Sequence, residues 1–287
     1  MNQDLEPHKL KAAIREGLIN GATESLIYPL KVFYCFNFTK SINPFIARNN
    51  IRMNSSLDYY AYFKKRDGTY RIWNCFWSGS LDTVLESVSE SLKGYLLNDV
   101  LKFTDSSLVD PTTGELPKIS AKKALRFLFV CFGVDIITAI IDNPFALLWV
   151  RMVSDYEPVP QYDHIVDCWC KTVEKDGFLG LFKSLGWSIL GRFVESATNA
   201  LLYYNNQPNA LFEFSNDTLD RIGWVYYAVN FLSVAVSYPI DKLFFQGVFG
   251  KPKLRFGPGL YDGVWLELFP LCGIGFNHLL RNVRKEN

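Results

Sequence analysis

Three prolines, each set in an apolar run with helical spacing, constrain this chain more than any other feature. They are Pro29 in "YPLKVFYC", Pro144 in "NPFALLWVR" and Pro239 in "YPIDKLFFQ". A proline inside a helix removes a backbone hydrogen bond and clashes with the preceding turn, at a cost of about 3 kcal/mol. Three such costs imply a required kink at each site. The prolines are separated by 115 and 95 residues, and each is followed by an acid-glycine pair, in "KKRDGTYRIW", "EKDGFLGLF" and "LYDGVWLEL". Three similar blocks carrying the same features in the same order define an internal repeat.

Apolar segments of helical character fall at 8–36, 78–102, 121–153, 186–205, 219–248 and 263–283, six in all. Polar, turn-forming stretches, "TDSSLVDPTTGELPK" and "NNQPNALFEFSND", join the second segment to the third and the fourth to the fifth. The links after the first and third segments are longer. The order is therefore helix, long link, helix, short link, repeated.

Hydrophobic residues make up 49% of the chain and charged residues 21%, with no run of 18 uninterrupted apolar residues. That balance disfavours helices facing hydrocarbon on all sides and fits spanning helices with one polar face on a water-filled interior. A formal charge of +1 argues against a nucleic-acid partner. Six scattered cysteines, Cys35, Cys75, Cys131, Cys168, Cys170 and Cys272, form no disulfide framework or zinc pattern and are expected to be buried, reduced thiols. The N-terminus has neither the apolar core of a secretory signal nor the composition of an arginine-rich transit peptide. No phosphate-binding GxxxxGK[ST] loop, GxSxG elbow or HExxH is present, and His8, His164 and His278 lie far apart, so no metal or catalytic site is expected and the chain is not read as an enzyme.

These blocks resemble the mitochondrial carrier family, whose members carry three repeats, each a kinked helix with PxDxxKxR, a short matrix helix, an EGxxxxYRG-like turn and a second spanning helix. The middle repeat is nearest: "DGFLGLFKS" matches the turn at Asp176, Gly177, Phe182 and Lys183, and "QYDHIVDCWCKTVEKDG" is similar to the matrix helix. Gly17 and Gly21 form a GxxxG that allows close helix approach. The resemblance implies an all-α membrane protein, with six transmembrane helices as three pseudo-threefold hairpin repeats. These would form one domain over 1–287, with repeats at 8–103, 118–207 and 218–283. The third is shortened, since 23 residues separate Pro239 from Asp262 and no hinge turn follows.

In the family, an acid two residues after each proline pairs with a base five residues after the next proline, closing a gate on the matrix side. Here the acid positions hold Lys31, Ala146 and Asp241, and the basic positions hold Tyr34, Trp149 and Phe244. The family's geometry would set Lys31 against Trp149, Ala146 against Phe244 and Asp241 against Tyr34, a seal of rings and apolar contacts. At the opposite gate, Asp99 and Lys102 in "NDVLK" are the remnant, while Asn205 and His278 replace charged residues elsewhere. Arg151 and Arg192 are the candidate cavity cations, ahead of Lys93 and Arg126, and for Arg192 pairing with a neighbouring acid such as Glu195, or reaching to the membrane interface, outweighs substrate contact.

The loss of gate charges implies a carrier-fold protein of the mitochondrial inner membrane serving as an accessory or structural subunit of a respiratory-chain complex. The alternative is a carrier that exchanges a small anionic metabolite or nucleotide. Either reading implies membrane lipids as partners, a bound lipid such as cardiolipin in place of any cofactor, and both termini toward the intermembrane space.

Overall fold

The computed structural model describes residues 7–26, 56–103, 116, 118–207 and 224–249. Its described elements run in chain order as α1 (Pro7–Leu26), α2 (Ser56–Trp77), α3 (Ser80–Tyr95), α4 (Ala121–Val153), α5 (Ile165–Asp176), α6 (Leu185–Tyr204) and α7 (Trp224–Phe249). A π-helical turn, Leu96–Val100, extends α3, and a short 3₁₀ turn, Phe178–Phe182, links α5 to α6. Among the described residues there is no strand. Five of the six expected apolar segments are helical in whole or in part. The sixth, 263–283, lies outside the described residues, as do Pro29, Lys31 and Tyr34.

The long helices pack in chain order, α1 on α3, α3 on α4, α4 on α6 and α6 on α7, with α7 also touching α4. Gly17 and Gly21 explain the first contact. A Cβ added at Gly17 would lie 2.6 Å from the Cα of Val88, and one at Gly21 2.7 Å from that of Val84, so α1 and α3 approach backbone to backbone. Pro144 and Pro239 lie within continuous helices, α4 and α7. At 33 residues, α4 is about 50 Å long at 1.5 Å per residue, more than a bilayer core needs. Among the described helices it is the one long and apolar enough to qualify as a span by length and composition.

Side-chain distribution explains how less apolar helices can accompany it. On α4, Leu125, Phe129, Ile137, Ile140 and Ile141 are exposed, whereas Asp135, Thr138, Asp142 and Asn143 are buried. On α6, Leu190, Phe193 and Leu201 face out and Ser196 in; on α7, Phe231, Leu232 and Val236 face out and Lys242 in. Water-soluble proteins put apolar side chains inside and charges outside. The reverse arrangement fits helices with hydrocarbon outside and polar side chains facing a shared interior.

Two apolar clusters brace α4 near its ends. At its start Phe127 stacks on Tyr203 with centroids 4.6 Å apart, and Phe103 meets both rings edge-on. Toward its end Leu148 and Met152 pack with Cys168 of α5 and Leu181 of the 3₁₀ turn. Cys131 and Cys168 are buried free thiols, as expected, but Cys170, two residues further along amphipathic α5, is exposed.

Candidate functional site: an interhelical cavity

A cavity of about 510 Å³ lies among α3, α4, α6 and α7. Helical periodicity builds its walls. Asp82 and Glu86 are one turn apart on α3, Asp142, Ala146 and Trp149 follow one stripe of α4, and Ser188, Arg192 and Glu195 do the same on α6. From α7 come Ser233, Ser237, Asp241, Phe244 and Phe245. Side chains i, i+3, i+4 and i+7 share a helix face, so each helix turns its polar stripe toward the same space.

Two ionic layers cross this interior. Arg192, 13% exposed, is bonded through Nη2 to Asp142 Oδ2 and joins α6 to α4. Further along, Lys93 of α3, 1% exposed, lies 2.8 Å from Asp135 Oδ1 and also pairs with Glu90. Ser196 donates to the other oxygen of Asp135, and the hydroxyls of Ser89 and Thr138 bond at 2.6 Å. A buried charge is tolerated when paired and hydrogen-bonded, and these layers meet that condition across three helices.

Of the expected matrix-gate residues, Ala146, Trp149, Asp241 and Phe244 all line this one cavity. Their expected counterparts Lys31 and Tyr34 lie outside the described residues. Arg192 lines the cavity, and the acid it pairs with is Asp142 on α4. Arg151 is corrected: it does not line the cavity and is held toward α5. Its Nη1 donates to Thr172 Oγ1 at 2.8 Å and its Nη2 to Asp176 Oδ2 at 2.7 Å. Asp99 pairs with Lys9 of α1 at 3.0 Å. Lys102 ends the helix at φ 54°. Arg126 sits exposed near the start of α4. Sequence reasoning missed the acids Asp82, Glu86, Asp135 and Asp142. Their signal was available in the four-residue spacing of Asp82, Glu86 and Glu90 and the seven-residue spacing of Asp135 and Asp142.

The hinge expected at "EKDGFLGLFKS" is present. Gly177 closes α5 with φ 72° and ψ 174°, a conformation open essentially to glycine alone. Asp176 divides its oxygens between Arg151 and Lys183, the latter at 3.1 Å. Partial burial raises its pKa, but the hydrogen bonds and charges of Arg151 and Lys183 outweigh that and hold the carboxyl below its ordinary range. The first block repeats the geometry: Gly68, after Asp67, has φ 72° and ψ −176°, and Asp67 accepts two hydrogen bonds from Arg66. Residues 122–208, which contain the second of these turns, match the model of the mitochondrial carrier protein family.

Over this stretch, less than a third of its length, the chain is similar to the mitochondrial carrier family. No curated protein matches it. The matched carrier repeat comprises α4, α5 and α6, so the Arg192–Asp142 and Arg151–Asp176 pairs both lie inside it.

Proposed function

We propose that this chain is a carrier-type protein of the mitochondrial inner membrane, with six spans in three pseudo-threefold repeats, whose interhelical cavity binds a small solute for transfer without covalent chemistry. The observation that carries this reading is a 510 Å³ cavity lined by charged and hydroxyl side chains among helices with apolar outer faces. Ligand pockets of about 300–1,000 Å³ suit small metabolites. The recurrence of the same glycine conformation at Asp67-Gly68 and Asp176-Gly177 supports the repeat architecture.

The direct test is reconstitution of the purified chain in cardiolipin-containing proteoliposomes with a panel of internal and external metabolites. Binding raises thermal stability by about 2.7 kcal/mol at a hundredfold excess over Kd, so a melting screen narrows the panel first. A saturable uptake that requires Arg192 and the cavity acids is expected. No shift and no uptake across the panel overturns the reading.

A second reading, an accessory subunit of a respiratory-chain complex, is favoured by the residues Ala146, Trp149 and Phe244 at positions where the family carries gate charges. A seal of this composition offers packing but no reversible set of ion pairs. Co-migration with a respiratory complex in mild detergent at fixed stoichiometry is its expected signature. A free monomer counts against it.

A further inference from the structure

We infer that the solute is a small organic cation, held in the cavity between the carboxylates of Glu86 and Glu195 and facing the rings of Trp149 and Phe244. This rests on the solute-binding reading above and replaces the small anion that the family resemblance implies.

Charge pairing carries the inference. Glu86 on α3 and Glu195 on α6 both line the cavity, and both are exposed. Among the described residues neither has an ion-pair or hydrogen-bond partner. The cations nearby are already engaged, Arg192 with Asp142 and Lys93 with both Asp135 and Glu90. Among the described residues, the carboxylates of Glu86, Glu90, Asp135, Asp142 and Glu195 thus stand against Arg192 and Lys93, while Lys242 of α7 is buried but does not line the cavity. Asp82 and Asp241 also line the space but make further interactions of their own, and nothing here depends on them.

An entering anion would have to displace Asp142 from Arg192 while facing the carboxylates of Glu86 and Glu195. A cation instead supplies the missing counter-charge, and intramembrane carboxylates without one are expensive. Among the described residues, no three metal-ligating side chains converge as a metal ion requires. The carboxylates are spread over different walls, which suits an extended organic cation. Trp149 and Phe244 offer ring faces in the same space, to which an ammonium or guanidinium group is attracted.

The test uses the full chain in detergent and follows melting temperature against butane-1,4-diamine, 4-guanidinobutylamine and choline, with succinate and ADP as anions. A concentration-dependent rise with at least one cation is expected. Glu86→Gln and Glu195→Gln should each weaken that binding by about tenfold or more, and Glu174→Gln, on the exposed face of α5, should leave it unchanged. Stabilisation by the anions alone overturns the cation inference and leaves the solute-binding reading standing. No response to any of them overturns both. If a glutamine variant does not fold, wild-type protein is treated with a hydrophobic carbodiimide and the modified carboxyls located by mass spectrometry. The stabilising cation should slow modification of Glu86 and Glu195, and unchanged labelling overturns the proposal.

Discussion

Asp176 shows how one side chain fixes a turn. Its carboxylate ties Arg151 at the end of α4 to Lys183 beyond the hinge, so Asp176→Asn removes two charge-assisted bonds. We expect a loss of about 2 kcal/mol in the melting free energy, in line with hydrogen bonds to charged groups. Because the folded-state pKa is depressed, this contribution is present above the unfolded carboxyl pKa of about 4. It is lost as pH falls from there through the folded value. The melting temperature of the wild type should therefore drop more steeply than that of Asp176→Asn below about pH 4. The cysteines of α5 give a second check at this scale. Burial pushes the Cys168 thiol up to about 12, whereas Cys170 is exposed. In folded protein at neutral pH a maleimide should modify Cys170 and spare Cys168, read by peptide mass spectrometry. The Asp176 turn was legible in the sequence because its residues are local. The Arg192 partner was not, since Asp142 stands on another helix, and naming it needs the rotation of both helices about their axes.

At the scale of elements, the glycines do two different jobs that their spacing predicts. Gly68 and Gly177 hold a conformation other residues resist, so Gly68→Ala and Gly177→Ala should each destabilise by about 1–3 kcal/mol. The two sites belong to separate helices, α2 and α5, and their effects should add in the double variant within a few tenths of a kcal/mol, measured by thermal or chemical unfolding. Gly21 acts through space instead: a valine there has no room against Val84, and α1 must separate from α3. Overpacking of this kind costs about 1–3 kcal/mol. The GxxxG and the acid-glycine pairs were readable because each is a contiguous pattern with a physical meaning. The partner of Asp99 was not readable for the opposite reason: Lys9 of α1 is 90 residues away and reaches Asp99 across the α1–α3 contact.

For the molecule as a whole, the reversed placement of polar and apolar side chains governs behaviour. Ile141 on α4 faces outward, and a lysine there would meet hydrocarbon, at a cost of about 2.5–3.5 kcal/mol on insertion scales. Ile141→Lys should lower the membrane-inserted yield, measured as the carbonate-resistant fraction, while Ala146→Ser, on the cavity wall, should not. Composition alone hinted at this organisation, since 21% charged residues cannot all face lipid. What it could not supply was which charges meet inside, because the interior is assembled from stripes of four separate helices.

The contact between α2 and the stretch leaving α4 has a further consequence. Tyr59 donates to the carbonyl of Val153, Tyr62 to that of Tyr156, and Arg66 to those of Asp155 and Glu157. Every acceptor in this grip is main chain, which any amino acid provides. A one-residue insertion or deletion in 153–157 would throw these donors out of step, and it would also pull the Tyr156 ring from Tyr59 and Phe63 and the Asp155 carboxylate from the backbone of Gln161. Over evolutionary time this junction should resist changes of length.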